Sequence, residues 1–454
     1  MFPKWIYIVL ATTAGSFINI CCGMHSSWTS PSLIKLQAED SPIPITNDQS
    51  TWIANILFLG TTCGAIVWYF LALRLTKRAV ALATSAPFVV SWLIIAFARS
   101  YPLLLLARLL AGISMGCVFC SAPLFLAEVS GSARRGLVVS FITLSGSFGS
   151  FLINLVGSFV SIRTTALVSL IFPVLSSCLF ALIPDSPYDL IQQRRFDDAE
   201  TSLKNFRGIE DVESDFNRIR EAVEERGAGS CLDLIVVASY RKALMMLLGV
   251  RTLCQLTGIS TVEVYSQSIF LDIGGEDFAI TLSSIYFLIP MVFTIVSLCL
   301  IDSVGRKPLM LLASVVIFVA LVTLTVLYYL NDSNRIEEPV FVYLSSGALL
   351  VYVAVFSLGL DFAPGVILGE IFSPGLKSFA STINELYHGF LKVTIIKLFQ
   401  ITEEKFGMKV PFLCFAICTF FSIFFIVYYV PETKKKNLEE IQMLLGRKDR
   451  NESN

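Results

Sequence analysis

Length, composition and charge indicate a membrane protein and exclude several other classes. The 454 residues are 55% hydrophobic and 15% charged, with a mean hydropathy of +0.73, whereas roughly a quarter of the residues of a soluble protein are charged. A net charge of −1 provides no basic surface for nucleic acid, and two histidines are too few for a histidine-built metal site.

Twelve apolar segments are long enough to cross a bilayer, at about 20 residues per crossing. We place them at residues 4–24, 52–74, 79–98, 102–127, 136–160, 164–184, 243–270, 279–301, 308–330, 339–368, 377–401 and 408–430. The first is similar to a cleaved secretory signal because Lys4 precedes it, but its apolar run continues to Gly23, and we interpret it as a retained span.

Basic residues in the short connections predict the orientation of the chain. Two or three of them follow each of spans two, four, eight and twelve, whereas the intervening connections hold isolated charges. By the positive-inside rule, both termini are cytoplasmic. Asn331 then begins an outward-facing glycosylation sequon with Asp332 and Ser333.

Residues 185–242 form the one long charged interruption, and their apolar residues recur at helical spacing. These apolar residues are Leu190, Phe196, Ala199, Leu203 and Phe206. The pattern predicts cytoplasmic helices that connect two halves, with either a purely connecting or a regulatory role. The sequence thus predicts an all-α membrane protein with a six-helix bundle at 1–184, a linker at 185–242, a second six-helix bundle at 243–430 and a short cytoplasmic tail at 431–454.

Most cysteines lie in the apolar segments. We interpret these ten as small buried hydrophobic residues in preference to a disulfide framework or a metal cluster. They are Cys21, Cys22, Cys63, Cys117, Cys120, Cys178, Cys254, Cys299, Cys414 and Cys418, and only Cys231 lies in a polar segment.

Polar residues are concentrated in the seventh span. The stretch 250–270 is long enough to cross the membrane, yet it includes Gln255, Thr257, Ser260 and Glu263. Polar groups at bilayer depth are costly unless they face a protein interior or a wet cavity. We therefore predict that this span forms a wall of a binding site.

The end of span eight places Asp302 one helical turn before the basic turn Gly305-Arg306-Lys307. With the twelve spans, this arrangement resembles the signature of the major facilitator superfamily, and further motifs in family order resemble the sugar porters. These motifs are Arg108-Leu-Leu-Ala-Gly112, Glu128 with Arg135-Gly136, Pro184-Asp185-Ser186-Pro187, Gln255-Leu-Thr-Gly258-Ile259, Gly369-Glu370-Ile371 and Val430-Pro431-Glu432-Thr433-Lys434 with Leu438-Glu439-Glu440-Ile441. Ala83-Thr84 and the stretch 87–93 are most similar to the trehalose-transporter branch of that family.

The resemblance implies facilitated diffusion of a sugar by alternating access, with salt bridges that close a cytoplasmic gate. The matching gate positions are Glu128 and Arg135 in the first half, and Asp302, Arg306, Lys307, Glu370 and Lys377 in the second. Static anchoring of helix ends is the alternative interpretation. We expect a plasma-membrane monomer whose partners are a small-molecule solute and the lipid bilayer, with no cofactor and no metal.

The sequence departs from the family pattern at the sugar site. Of the helix-seven motif Gln-Gln-x-Ser-Gly-x-Asn, only Gln255 keeps its amide, while Thr257 and Ser260 take later positions, and Thr143 stands at a helix-five Gln position. The first-half basic turn is reduced to Thr76-Lys77-Arg78, which predicts a weaker amino-terminal gate.

Ionisable residues occupy core-depth positions where the family has neutral ones. Glu263, Asp361, Glu385 and His388 complete the predicted substrate site, and Glu385, His388 and Lys392 share one helix face. Such groups act as substrate ligands or proton carriers, or they form an internal ion-pair network. Both interpretations remain open at this point.

Three functions therefore compete. The first is a transporter of a sugar or a related polar solute, similar to trehalose or glucose. The second is a proton-coupled symporter of another polar or charged solute, and the third is a transporter-like sensor that moves nothing. No nucleophile–base pair or phosphate-binding glycine loop is visible in the sequence, so we do not predict an enzyme.

Overall fold

The computed structural model of this protein describes residues 6–39, 41–131, 135–208, 211–226, 233–372, 374–432 and 434. Regular secondary structure within these ranges is entirely helical. Two compact units form, one from Met1–Trp28 with Lys35–Gly229 and the other from Thr29–Ile34 with Ser230–Asn454. We call them the N-terminal unit and the C-terminal unit.

The helices up to the end of the N-terminal unit include six membrane spans and the three helices of the linker. They are α1 (Ile6–Ser27), α2 (Thr29–Gln37), α3 (Asn47–Ala72), α4 (Lys77–Phe97), α5 (Tyr101–Val129), α6 (Arg135–Phe159), α7 (Ile162–Ser169), α8 (Ile171–Leu182), α9 (Pro187–Gln192), α10 (Phe196–Arg207) and α11 (Glu213–Arg226). Helix α3 begins with a capping box in which the Thr46 hydroxyl accepts from the Gln49 N–H and the Gln49 side chain accepts from the Thr46 N–H.

The helices of the C-terminal unit contain the other six spans. They are α12 (Asp233–Val236), α13 (Ala238–Leu256), α14 (Ile259–Gly274), α15 (Glu276–Val304), α16 (Arg306–Asp332), α17 (Glu338–Gly359), α18 (Ala363–Ile371), α19 (Pro374–Phe406) and α20 (Lys409–Tyr429). Eleven spans in the described residues are long and apolar enough to cross a membrane by composition alone. The twelfth is α19, whose 33 residues include Glu385, Lys392 and Lys397. The predicted fold of twelve membrane helices with a helical linker is confirmed.

Span seven is two helices and not the single helix that its apolar pattern predicts. Helix α13 ends at Leu256, and Gly258 adopts a left-handed conformation (φ 87°) before α14 begins. An added Cβ at Gly258 would also collide with the Phe415 ring, so only glycine suits this position. Span ten is also interrupted, between α17 and α18, where Leu360 and Phe362 keep right-handed conformations.

Glycines bring α3 and α5 into close contact in the N-terminal unit. Gly60 and Gly64 on α3 lie against Gly112 and Gly116 on α5, where an added Cβ would collide with the facing backbone. Two glycines spaced by four on each helix allow the backbones to approach more closely than side chains would permit. This crossing fixes the core of the N-terminal unit.

The linker helices α9, α10 and α11 share a small apolar core of their own. Its buried members are Leu190, Ile191, Ala199, Leu203, Val212 and Ile219. The predicted amphipathic helices are therefore present, except that Phe196 is 39% exposed and lies beneath the Arg220 guanidinium.

The ten described cysteines are all free thiols. The prediction that they are buried holds for five of them and is wrong for Cys63, Cys178, Cys299 and Cys414, which are exposed on membrane helices. An apolar run does not reveal which of its faces points towards lipid, and this is why the prediction fails there.

Candidate solute-binding site

The break in span seven brings two predicted site residues together. The buried Ser260 hydroxyl at the start of α14 donates to the Oε1 atom of Gln255 at the end of α13, over 2.7 Å. The Gln255 amide nitrogen in turn lies 3.0 Å from Nε2 of His388 on α19. Both ends of this amide therefore have partners within the C-terminal unit.

Hydrogen bonding to Gln255 indicates the tautomer of His388. An amide nitrogen can only donate, so Nε2 accepts and the proton of the neutral ring sits on Nδ1. Nδ1 lies 3.4 Å from Oε2 of Glu385, which can accept it. A chain of four predicted site residues thus runs from Ser260 through Gln255 and His388 to Glu385.

Arg251 ends this chain. Its Nη2 atom lies 3.1 Å from Oε1 of Glu385, and its Nε donates to Oδ1 of Asn384 over 3.3 Å. The Asn384 amide donates to the same Glu385 oxygen over 3.0 Å. Arg251, Asn384 and Glu385 therefore form a closed ring of polar contacts between α13 and α19.

Asp361 and Glu263 belong to the same charged region. Asp361 lies in the break between α17 and α18, and its charge interacts with those of Arg251, Glu263 and Lys392. Although protein charges surround it, the Asp361 residue is exposed at the break between the two helices. Within the described part of the chain, no group hydrogen-bonds to its carboxylate, so this carboxylate is open to a solute.

Two other predicted site residues have different surroundings. The buried Thr257 hydroxyl donates to the Cys254 carbonyl over 2.8 Å, and the Thr257 carbonyl accepts from the Tyr352 hydroxyl over 3.1 Å. Thr257 thus stabilises the break between α13 and α14. Thr143 is exposed on α6 and belongs to the N-terminal unit.

The second-half gate positions gather at the start of α16. Arg306 forms a salt bridge of 2.9 Å with Glu370 on α18. The Glu432 carboxylate accepts from the backbone N–H groups of Arg306 and Lys307, over 3.2 and 3.0 Å, as suits an anion at a helix N-terminus. The Lys307 ammonium donates to the Val427 carbonyl.

Two remaining gate positions in the second half contribute differently. The Lys377 ammonium on α19 donates to the Gly369 carbonyl over 3.2 Å, so it contacts the α18 segment that carries Glu370. The side chain of Asp302 lies outside the described residues, and its predicted part in the gate stays a prediction.

The first-half gate position Glu128 lies in a charged network around Lys77. The Lys77 ammonium lies 3.1 Å from Glu128 and also contacts Asp189 of α9. The Ser186 hydroxyl donates to Glu128 over 2.7 Å. Burial raises the pKa of the Asp189 carboxyl, and the charge of Lys77 opposes that shift. The side chain of Arg135 lies outside the described residues.

Arg108 and His25 form the buried polar centre of the N-terminal unit. Both are fully buried, and Arg108 donates to the backbone carbonyls of His25 and Ile53. The guanidinium also lies over the Trp28 ring, 5.3 Å from its centroid. The His25 ring stacks on Trp92 at 3.9 Å.

Sequence reasoning misses several partners that complete these networks. Arg251 and Asn384 bind the Glu385 carboxylate. Lys77 and Asp189 belong to the network around the first-half gate position. Glu432 caps the N-terminus of α16. A lone arginine inside an apolar span was a usable signal for Arg251. For Lys77 and Asp189, 112 residues apart, only the fold reveals the contact.

Comparison with known proteins agrees with this fold. The family model described as "Sugar (and other) transporter" matches residues 8–445. The facilitated trehalose transporter Tret1 of Polypedilum vanderplanki is 29% identical over 453 residues, covering 98% of this chain and 90% of the relative. The Bombyx mori protein of the same name is 29% identical over 442 residues, covering 96% and 86%.

A solved structure supports the same fold. It is the major facilitator superfamily proton:xylose symporter XylE bound to 6-bromo-6-deoxy-D-glucose, with a TM-score of 0.80 and 20% sequence identity, covering 97% of this chain and 99% of that one. At this identity the likeness concerns the fold. Because the family model covers almost the whole sequence, this chain belongs to the sugar transporter family, whose members move solutes across membranes by alternating access.

Proposed function

We propose that this protein moves a neutral sugar of the trehalose or glucose kind across the plasma membrane by facilitated diffusion. The observation that carries the proposal is the Gln255 amide, which the break in span seven holds in the interior of the C-terminal unit. The trehalose transporters among its relatives support a sugar as the substrate.

The hydrogen-bonding capacity of Gln255 suits a polyol. An amide has two N–H donors and an oxygen with two lone pairs. His388 takes one donor and Ser260 takes one lone pair. One N–H and one lone pair remain, and a sugar hydroxyl can accept from the first or donate to the second.

The gate networks support alternating access within this proposal. The Arg306–Glu370 bridge and the Lys77–Glu128 bridge each join helix ends within one unit. We propose that they stabilise the state that is closed to the cytoplasm and break in the other state. We also propose cytoplasmic termini, a monomer and glycosylation at Asn331, which is exposed in the last turn of α16.

Uptake into proteoliposomes tests the proposal. Labelled trehalose, glucose, other hexoses and polyols are offered with and without a pH gradient, and Gln255→Ala is compared with Gln192→Ala at the exposed end of α9. We expect sugar uptake that does not require the gradient. Gln255→Ala should raise KM about tenfold, which corresponds to about 1.4 kcal/mol, and Gln192→Ala should leave it unchanged. Absence of sugar uptake under every condition would refute the proposal.

Proton coupling is a second candidate, and the open carboxylate of Asp361 favours it. A carboxylate inside a membrane span that accepts no hydrogen bond within the described residues, near the charges of Arg251, Glu263 and Lys392, is suited to take up and release a proton. In that case an inward pH gradient should accelerate uptake, and Asp361→Asn should remove the acceleration. An unchanged pH profile in Asp361→Asn would exclude this role for Asp361.

A further inference from the structure

The polar chain that ends at Arg251 connects this arginine to a residue that it does not touch. Within the described residues, no hydrogen bond joins Arg251 to Gln255, yet Glu385 and His388 connect them. We propose that Arg251 and Glu385 are positioning residues that set the orientation of the Gln255 amide through the tautomer of His388. The inference rests on the proposed sugar transport, in which Gln255 contacts the substrate.

The Gln255 amide has two possible orientations. A glutamine side chain can exchange the positions of its oxygen and nitrogen with little change of shape. Ser260 does not select between them, because a hydroxyl can donate to the oxygen or accept from the nitrogen. His388 does select, because its Nε2 atom accepts in one tautomer and donates in the other. The orientation of Gln255 therefore follows the tautomer of His388.

Glu385 stabilises this tautomer of His388. Glu385 presents Oε2 to Nδ1 of His388 at 3.4 Å, and an ionised carboxylate can only accept. The proton therefore stays on Nδ1, and Nε2 remains an acceptor for Gln255. The other charges that act on His388 are those of Arg251 and Lys392, which are both cationic.

Arg251 and Asn384 fix the position of the Glu385 carboxylate. Its Oε1 atom receives hydrogen bonds from Arg251 at 3.1 Å and from Asn384 at 3.0 Å. Arg251 also donates to Asn384, which closes the ring and leaves Oε2 directed to His388. All three side chains are at least partly buried, so a displaced Glu385 would lose partners that water replaces only in part.

The consequence for transport is a change in affinity. Without the ring, His388 is free to carry its proton on Nε2, and Gln255 then presents its oxygen to His388. If the competent orientation falls to about one tenth of the molecules, the apparent affinity for sugar falls about tenfold. Turnover is expected to stay within about twofold, because the gates lie elsewhere in the chain.

Uptake kinetics in two backgrounds test the inference. The double variant Arg251→Gln/Glu385→Leu leaves no charge of the pair behind, and it should raise KM about tenfold in the wild-type background. In Gln255→Ala, the same pair of changes should raise KM by less than about twofold, because the orientation no longer matters. Equal effects in both backgrounds would show a general structural role and overturn the inference.

Conservative variants sharpen the test. His388→Gln supplies an acceptor for Gln255 and a donor for Glu385, so it should keep KM within about twofold of the wild type, whereas His388→Leu should match the double variant. The matched control is Lys409→Gln, which removes an ion pair with Asp332 at 2.8 Å in the same unit and should leave KM unchanged. A loss in His388→Gln as large as in His388→Leu would contradict the inference.

A second measurement requires no sugar. The chain has two histidines, so nitrogen NMR of protein labelled at the imidazole nitrogens, compared with His25→Gln, isolates the His388 signals. We expect a protonated Nδ1 in the wild type and a shift of the proton towards Nε2 in Arg251→Gln/Glu385→Leu. A protonated Nε2 in the wild type would overturn the inference. This readout decides it even if the uptake panel finds no sugar and the proposed function fails.

Discussion

Each unit contains an arginine within its membrane helices, and the two arginines have different kinds of partner. Arg108 in the N-terminal unit donates to backbone carbonyls and lies over Trp28, and no carboxylate in the described residues forms a salt bridge with it. Arg251 in the C-terminal unit forms a salt bridge with Glu385, which also interacts with Asn384 and His388. The first arginine ties helices together, whereas the second belongs to a network of side chains.

The difference indicates that the two arginines have different roles, one in packing and one in a network of side chains. Backbone carbonyls are fixed by their helices, so an arginine bonded to them has one arrangement and strengthens a tightly packed core. Side-chain partners can rotate and exchange protons, so a network of them can adapt to a solute. The glycine crossing of α3 and α5 belongs to the first kind of interior, and the open carboxylate of Asp361 belongs to the second.

The largest expected effect comes from disturbing the packed interior. In Gly112→Leu, the new side chain would collide with the backbone of α3, where an added Cβ lies 2.8 Å from the Gly60 Cα atom. Backbone cannot yield as a flexible side chain can, so we expect loss of folded protein, seen as aggregation in size-exclusion chromatography.

The matched control for this change lies in the C-terminal unit. Gly347 on α17 is exposed, and an added Cβ there meets nothing within 4 Å. Gly347→Leu should therefore leave a monodisperse protein. If both variants behaved alike, close packing would not distinguish the α3–α5 crossing from the rest of the chain.

The next largest effect is expected at the first-half gate. Lys77 contacts the buried carboxylates of both Glu128 and Asp189. Lys77→Ala would leave two carboxylates without this cation, and we expect a loss of about 3 kcal/mol of unfolding free energy, measured by thermal unfolding in detergent. The control Lys204→Ala removes an exposed pair with Glu200 and should change stability by less than about 1 kcal/mol. Equal effects would contradict the predicted importance of burial.

A smaller effect is expected at the second-half gate, where Arg306 forms a salt bridge with Glu370. Arg306→Ala breaks the bridge to Glu370 but leaves the capping of α16 by Glu432, which uses backbone N–H groups. We expect the population ratio to move towards the inward-facing state by about tenfold, or about 1.4 kcal/mol. Accessibility of introduced cysteines to a reagent added outside measures the shift, and unchanged labelling would argue against the gate assignment.

The sequence predicts the spans well because their apolar length is a property of each segment alone. It also singles out Gln255, Ser260, Glu385 and His388, which the structure connects in one polar chain, since a polar residue in a span is conspicuous. It does not predict the break at Gly258, because a single glycine inside an apolar run is also compatible with a continuous helix. Nor does it pair Lys77 with Asp189 across 112 residues, because spacing carries no information about such distant contacts.

The smallest effect is expected at the break itself, where one hydroxyl can be removed without changing any charge. The buried Tyr352 hydroxyl donates to the Thr257 carbonyl. Because the helix is interrupted between α13 and α14, this carbonyl lacks the complete set of backbone donors that a carbonyl within a continuous helix has. Tyr352→Phe should lower the unfolding free energy by about 1 kcal/mol. Tyr343→Phe on the same helix, where the side chain is 69% exposed, should have no measurable effect. Because Thr257 lies between Gln255 and Ser260, Tyr352→Phe should also raise KM slightly; a stability loss with KM unchanged would mean that the amide is positioned by His388 and Ser260 alone.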